Sequence, residues 1–162
     1  MNIKEAILKN KNHALWLDCV HFSQEIALNV AAEALNNGVK IIQYYFTTAT
    51  SKQNIEFGLK LRQLCSMFEA LLVVNSRADI AQVIEADGLC LFKDDMNLSQ
   101  AKKIFHNDII FGVCVQSLED LIYANESSAD YICIDSSKIP SLNANLKALN
   151  KIKIIELNRK FL

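Results

Sequence analysis

The chain has 162 residues, of which 51% are hydrophobic and 22% are charged. These proportions are ordinary for a protein that buries one sizeable core, so we expect a single domain over residues 1–162. The formal net charge is −1, from 17 basic and 18 acidic residues without a basic block. This balance argues against nucleic acid and against an anionic membrane surface as partners.

Neither a membrane span nor a secretion signal is expected. No apolar run approaches the roughly 18 residues that a transmembrane helix needs. Residues 1–12 are charged, are predicted to form a short helix, and lack the apolar core of a signal peptide. A cytoplasmic location is therefore expected. The five cysteines are scattered without a C-x-x-C pair, which favours reduced thiols packed in strands over disulfide or metal roles; they are Cys19, Cys65, Cys90, Cys114 and Cys133.

Short apolar runs alternate with amphipathic segments along the chain. The predicted strands are 14–20, 39–46, 71–75, 88–92, 109–115, 131–134 and 152–157. The predicted helices between them are 24–37, 52–68, 77–85, 98–105, 118–125 and 142–150. Ser23 should cap the first of these helices and Gly38 should end it. Unbroken strand–helix alternation predicts an α/β fold with a parallel sheet covered by helices, either a closed barrel or an open doubly wound sheet.

Polar side chains stand at the carboxyl ends of two neighbouring strands within residues 71–96. The first strand ends in Asn75-Ser76, and the second is followed by Asp94-Asp95. Parallel α/β folds bind their ligands at this edge of the sheet. We therefore expect the functional site there.

Several segments, taken in order, resemble the thiamine phosphate synthase and thiazole tautomerase family. They are Ile41-Ile42-Gln43, VVNSRADIAQVIEADGLCLFKDDM, IIFGVCVQS and SADYICID, and the similarity covers about residues 14–135. The resemblance implies a TIM-barrel-like (β/α) fold. It also implies a site at the strand ends, where family members carry a Gln-x-Arg-x-Lys motif, an Asn-Asp pair and a second metal-binding aspartate.

Many of the family's functional positions are altered in this chain. The resemblance implies catalytic positions at Gln43, Asn75, Cys114 and Gln116, substrate-binding positions at Tyr45, Thr47, Ser76, Lys93 and Asp135, and a Mg²⁺ site at Asp95 and Asp94. Of these, Tyr45 and Thr47 stand where the family has Arg and Lys, and Ser76 replaces a metal-binding aspartate. Three further positions differ from the family: Cys114 replaces a serine, Gln116 takes the place of the catalytic His of tautomerase relatives, and Asp135 replaces a glycine.

These replacements bear directly on the chemistry that the resemblance implies. The family reaction displaces diphosphate from a pyrimidine and joins the pyrimidine to a thiazole phosphate, so Mg²⁺ and basic side chains must neutralise the leaving group. A hydrogen bond to a charged group contributes about 1.5–3 kcal/mol. Losing both the Arg and the Lys therefore removes on the order of 3–6 kcal/mol, or roughly two to four decades in binding or rate.

Glycine content and length predict a modified phosphate side. The chain has four glycines, at Gly38, Gly58, Gly88 and Gly112, and none follows Gly112. The glycine-rich phosphate cradle of barrel enzymes therefore cannot form in the usual way. A complete barrel needs at least about 200 residues. We expect an incomplete, C-terminally shortened barrel of about seven strands, whose last strand leaves an open edge for a partner such as a second copy.

Simpler interpretations of the same residues stay open. Asp94 and Asp95 can cap the following helix, as can Asn97 and Ser99. Asn75 can satisfy loop backbone groups, and Cys114 can serve packing alone.

Three functional hypotheses result. The chain is a diverged family member with reduced or lost catalysis and a binding or interaction role, with a small-molecule phosphate as a candidate ligand. Alternatively, it is an active transferase that uses Mg²⁺, or a structural protein that forms homo-oligomers through the open edge.

Overall fold

A computed structural model describes residues 14–20, 22–135, 137 and 140–142, together with the backbone of residues 153–158. The strands are β1 (Ala14–Asp18), β2 (Ile41–Tyr45), β3 (Leu71–Asn75), β4 (Gly88–Leu91), β5 (Ile110–Val115), β6 (Tyr131–Asp135) and β7 (Lys153–Asn158). The helices that lie wholly within the described residues are α1 (Gln24–Asn36), α2 (Ser51–Met67), α3 (Ala78–Val83), α4 (Leu98–Lys102) and α5 (Leu118–Glu126). The predicted helix at 1–12, and nearly all of that at 142–150, lie outside the described residues.

The strands form a parallel, barrel-like ring in chain order. Each strand pairs with the next, from β1 through β6, and these six form a curled parallel sheet. The backbone of β7 pairs with β6 on one side and with β1 on the other, where Ala14 lies opposite Leu157. The TIM-barrel-like fold is confirmed. The expectation of an open edge at the last strand is wrong, because β1 occupies that edge.

Local capping explains where the long helices begin and end. The hydroxyl of Ser23 accepts a hydrogen bond from the backbone N–H of Ile26 at 3.2 Å, as predicted. After α1 the chain turns at Gly38, whose φ of +91° suits a residue without a Cβ. Thr50 and Gln53 form a reciprocal capping box at the start of α2. These caps set the positions of the loops that follow β1 and β2.

Two apolar layers sandwich the strands. The outward-facing side chains pack against the helices, as Leu15 and Leu72 do in one cluster with Phe57 and Leu61 of α2. The inward-facing side chains fill the barrel and include Val73, Ile110 and Tyr131. Burial on both faces explains why the strands read as continuous apolar runs.

The end of the ring opposite the candidate site is tied together by Asp87. Its Oδ2 accepts a hydrogen bond from the backbone N–H of Leu72 at 2.8 Å and forms an ion pair with the guanidinium of Arg62 at 2.5 Å. These contacts connect α2 with the beginnings of β3 and β4. Among the described helices, none is long and apolar enough to cross a bilayer.

Candidate functional site

Two candidate catalytic residues, Gln43 in the middle of β2 and Asn75 at the carboxyl end of β3, contact each other inside the barrel. Gln43 is fully buried and Asn75 is 2% exposed. The Nε2 of Gln43 donates a hydrogen bond to Oδ1 of Asn75. The alternative that Asn75 serves only loop backbone groups is therefore wrong, because its side chain lies inside the barrel and pairs with Gln43.

Three thiols complete this buried group. Nε2 of Gln43 lies 3.7 Å from Sγ of Cys114 and 3.5 Å from Sγ of Cys133, and Nδ2 of Asn75 lies 3.6 Å from Sγ of Cys114. The third sulfur, of Cys90, lies 3.2 Å from each of the other two, which are 3.0 Å apart. We call Cys90, Cys114 and Cys133 the thiol cluster.

Burial and mutual hydrogen bonding set the protonation of the thiol cluster. Desolvation, together with hydrogen bonds among the sulfurs, raises the pKa of Cys90 and Cys114 well above that of an ordinary thiol. Burial also acts to raise the pKa of Cys133, but hydrogen bonds from Cys114, Cys90 and Gln43 outweigh it and lower that pKa. Cys114 is 3% exposed, and its raised pKa argues against a nucleophilic role.

Above this layer, Ser76 and Asp95 form a direct pair. The hydroxyl of Ser76 donates a hydrogen bond to Oδ2 of Asp95 at 2.7 Å, and the backbone N–H of Phe92 donates to the same oxygen at 2.8 Å. The helix that follows is capped by Asn97, whose side chain accepts from the N–H of Ser99 at 2.8 Å. The interpretation of Asp95 as a helix cap is therefore wrong, since Asp95 closes the loop after β4 and binds Ser76.

This pair fits Mg²⁺ poorly. Mg²⁺ favours an octahedral shell of hard oxygen atoms, with carboxylates carrying its charge. Ser76 contributes a neutral hydroxyl, and Oδ2 of Asp95 already accepts two hydrogen bonds. Asp94 is exposed on the same loop. The charged ligands that these residues offer to Mg²⁺ are therefore the Asp95 carboxylate, which already accepts hydrogen bonds, and the exposed Asp94 carboxylate.

Three aromatic rings, from the middle of β1, the end of β2 and the residue after β4, contact one another. The centroid of Tyr45 is 5.7 Å from that of Trp16 and 6.0 Å from that of Phe92, and Trp16 and Phe92 are 6.3 Å apart. The rings meet at tilted and edge-on angles that favour aromatic contact. We call these three residues the aromatic triad. Tyr45, at the position of the family's arginine, therefore packs against rings.

The remaining predicted site residues lie apart from this centre. Thr47 and Gln116 are exposed in loops. Lys93 forms an ion pair with Glu119, which raises the pKa of Lys93. Asp135, at the end of β6, accepts hydrogen bonds at 2.9 and 2.7 Å from the backbone N–H and the hydroxyl of Ser137.

Sequence reasoning missed four residues of the site: Trp16, Phe92, Cys90 and Cys133. Each lies on the inner side of the barrel. A signal was present, since Cys90, Cys114 and Cys133 each occupy the interior of a predicted strand. Their convergence depends on register, in which Cys114 lies directly opposite Cys133.

Comparison with known proteins identifies the family of this chain. The profile of the family described as thiamine monophosphate synthase matches residues 18–139. The chain belongs to this family. It is 36% identical over 130 residues to thiamine-phosphate synthase 1 of Aquifex aeolicus, which covers 80% of this chain and 60% of that protein. It is 33% identical over 132 residues to the thiamine-phosphate synthase of Prochlorococcus marinus, which covers 76% of this chain and 38% of that protein.

A solved structure of the family has the same fold. Thiamine phosphate pyrophosphorylase from Pyrococcus furiosus superposes with a TM-score of 0.79 at 29% identity, over 93% of this chain and 77% of that one. The chain spans 60% or less of the length of the two curated relatives just named.

Proposed function

We propose that this chain is a diverged thiamine phosphate synthase family protein, linked to thiamine biosynthesis, whose catalysis is reduced or lost and whose barrel mouth has a binding or interaction role. The observation that carries the proposal is the hydrogen bond between Ser76 and Asp95. Ser76, a neutral donor, stands where the resemblance implies one of two metal-binding aspartates, and it contacts Asp95, which stands at the position of the other. The proposal therefore assigns no Mg²⁺ to this pair.

The distribution of positive charge supports the same proposal. Diphosphate departure develops negative charge that cations must neutralise. At the positions of the family's Arg and Lys, Tyr45 packs in the aromatic triad and Thr47 is an exposed neutral residue. Two nearby cations are already paired, Lys93 with Glu119 and Arg77 with Asp79. These groups offer little stabilisation to a leaving diphosphate.

The aromatic triad favours a flat ring as the part of a ligand that the mouth recognises. Aromatic faces and edges bind planar heterocycles by stacking and edge contacts. Tyr45 and Phe92 are partly exposed, whereas Trp16 is 4% exposed and supports them from below. The pyrimidine or the thiazole phosphate of the family reaction therefore remains a candidate ligand, held through its ring more than through its phosphate.

The catalytic half of the proposal is tested by thiochrome fluorescence. The purified protein, given pyrimidine diphosphate, thiazole phosphate and Mg²⁺, should form no thiamine phosphate above background, because the lost Arg and Lys contacts correspond to roughly two to four decades in rate. The Pyrococcus furiosus relative serves as the positive control. Product that forms with this chain and disappears in Asp95→Ala would show an active transferase and overturn the proposal.

The binding half is tested by calorimetry with the same two ligands in the absence of Mg²⁺. Binding should weaken about tenfold or more in Tyr45→Ala, because a ring contact contributes roughly 0.5–1.5 kcal/mol beyond the area it buries. Thr47→Ala is the matched control, since it truncates an exposed residue two positions beyond Tyr45. Absence of binding in the folded wild-type protein, or equal affinity of the two variants, would count against a ring-binding mouth.

The structural alternative loses its main support. The predicted homo-oligomer was expected to form through an open edge, and that edge pairs with β1. A cytoplasmic location stays a prediction.

A further inference from the structure

The thiol cluster is an unusual use of cysteine in a barrel interior. Its three members come from the neighbouring strands β4, β5 and β6, and they are 0%, 3% and 0% exposed in chain order. Their sulfurs are 3.0–3.2 Å apart. Cys65, by contrast, is a buried cysteine that packs in the outer apolar layer. Three of the five cysteines thus meet at one point.

Simple packing does not explain such short distances. Carbon atoms attract each other best at about 3.5–4.0 Å, and sulfur is larger than carbon. Hydrogen bonds from S–H groups are weak, so they contribute little free energy to offset the close approach of three sulfurs. The strands have small and large residues at other inward positions, as in Gly112 beside Tyr131, so other packing solutions exist. The convergence of three soft donor atoms needs a further cause.

We propose that Cys90, Cys114 and Cys133 bind one thiophilic d¹⁰ metal ion, Zn²⁺ or Cu⁺, inside the barrel. Both ions favour cysteine sulfur, and the three thiols release their protons to solvent on binding, so the buried thiolate charge of −3 is reduced to −1 by Zn²⁺ or to −2 by Cu⁺. A metal–sulfur bond of about 2.3 Å requires sulfurs about 3.8 Å apart in tetrahedral geometry. Each sulfur therefore needs to move outward by only about 0.4 Å from its present place, a small side-chain rotation.

The polar groups beside the cluster suit a metal–thiolate site. Nε2 of Gln43 and Nδ2 of Asn75 point N–H groups at Cys114 and Cys133 from 3.5–3.7 Å. In this orientation of the two amides, which suits Cu⁺ held by three sulfurs, such hydrogen bonds disperse the charge of the ligating sulfurs and orient them.

A buried amide oxygen adds an independent observation. Oε1 of Gln43 has less than 1 Å² exposed and no hydrogen-bond partner among the described residues. Buried acceptors without a partner are rare and costly. A 180° flip of this amide, coupled to a flip of Asn75, places Oε1 where Nε2 now lies, 3.5 Å from Sγ of Cys133, and moves Nε2 into the position without a partner. The oxygen then faces the cluster and can complete the four-coordinate shell that Zn²⁺ prefers, whereas Cu⁺ needs only the three sulfurs.

This site is separate from the proposed binding role of the mouth. It shares the inner apolar cluster with the aromatic triad but involves neither Ser76 nor Asp95. Burial of the ligands implies that the ion is taken up as the barrel closes, so metal binding and folding are coupled. The expected consequence is a chain that folds more stably with the ion than without it.

The first test measures metal in the whole protein. The chain is produced in medium supplemented with Zn²⁺ or with copper, purified under reducing conditions without chelator, and analysed for metals per chain. We expect close to one ion per chain. After unfolding with chelator and refolding under reducing conditions, added Cd²⁺ should give thiolate-to-metal charge-transfer absorption that saturates at one equivalent.

Matched cysteine variants locate the ion. Cys90→Ser, Cys114→Ser and Cys133→Ser should each lose most of the bound metal and of the Cd²⁺ absorption, whereas Cys65→Ser, at an equally buried thiol outside the cluster, should retain both. If a cluster variant does not fold, the Cd²⁺ titration of the refolded wild-type protein still decides. Gln43→Leu distinguishes the ions, because Zn²⁺ loses a ligand and should bind much more weakly, whereas Cu⁺ loses only hydrogen bonds to its sulfurs and should be affected less.

Three results would overturn the proposal. The first is a folded, reduced wild-type protein that holds no stoichiometric metal and shows no saturable Cd²⁺ absorption. The second is metal retained equally in the cluster variants. The third is a chain whose thiol titration under denaturing conditions finds two fewer than its five free cysteines, since that would assign the short sulfur contacts to a disulfide.

Discussion

At the scale of single residues, Ser76 decides the character of the barrel mouth. Its φ of +65° lies in the left-handed region, and its backbone N–H donates to the carbonyl of Cys90 at 2.9 Å. This backbone conformation directs the hydroxyl to Asp95. Asp and Asn also adopt left-handed conformations more readily than most residues. A carboxylate can therefore be introduced here without refolding the loop.

Ser76→Asp should create a divalent cation site. Two carboxylates would then face each other where a hydroxyl now donates at 2.7 Å, and their repulsion favours a bound Mg²⁺. At a Mg²⁺ concentration about 100 times its Kd, the ion adds about 2.7 kcal/mol. For a chain of this size we expect a rise in Tm of roughly 5–10 °C. Differential scanning fluorimetry with and without MgCl₂ measures it.

The matched control for this prediction is Ser76→Asn, which has the same size and the same backbone tolerance without the charge. Its Tm, like that of the wild type, should change little with Mg²⁺. An equal Mg²⁺ response of all three proteins would show that Ser76 is not the residue that weakens this site.

The sequence predicted the residues at strand ends better than those inside the barrel. Asn75, Ser76 and Asp95 were expected at one edge because polar residues directly follow apolar runs. The inward orientation of Cys90 and Cys133 was not predicted. Strands buried on both faces show no polar alternation, so the sequence does not reveal which side chains point inward.

At the scale of elements, the prediction of strands was accurate because each strand is an isolated apolar run. The β3 bounds match, and the other strands differ by a few residues at their ends, as β2 does. The helix predicted at 98–105 ends at Lys102. Phe105 extends the apolar pattern beyond the helix because its ring packs edge-on against Phe111 at 5.7 Å. Tertiary contact, rather than helix formation, explains that residue.

Gly112→Ala tests the close contact between β5 and β6. A Cβ at this position would lie 2.3 Å from Cζ and 2.7 Å from the hydroxyl of Tyr131. The Tyr131 ring is 2% exposed and has little room to move. Overpacking of this kind costs about 1–3 kcal/mol. We expect a corresponding decrease in the free energy of unfolding, measured by urea denaturation.

A second substitution separates the clash from other effects of the alanine. Tyr131→Val removes the ring, so adding Gly112→Ala to that background should cost much less than it does in the wild type. Such non-additivity is the expected sign of direct contact. Equal costs in the two backgrounds would show that the ring is not the obstacle.

At the scale of the whole molecule, ring closure was the property that the sequence did not predict. The contact between β1 and β7 joins residues at opposite ends of the chain, with Leu15 opposite Asn158. Apolar runs indicate how many strands exist, but they do not state which strand covers which edge. The expected open edge followed from length alone, and the pairing of β7 with both neighbours corrects it.

Ionisation of buried thiols should make the molecule sensitive to alkali. Burial, aided by Asp87 and opposed by Arg62, raises the pKa of Cys65 from 9.0 to about 12. Between about pH 9 and pH 12 this thiol ionises in the unfolded chain but stays neutral in the folded one. Its contribution to the free energy of unfolding is therefore fully present below pH 9 and is lost as the pH rises to about 12, a decrease of as much as about 4 kcal/mol. Cys65→Ala should therefore be less stable than the wild type near neutral pH, and the difference should shrink or reverse by about pH 11. Urea unfolding followed by fluorescence measures the free energy of unfolding of both proteins at each pH. The contribution of Cys19, which both proteins retain, cancels in the difference. Parallel stability curves would contradict the assignment.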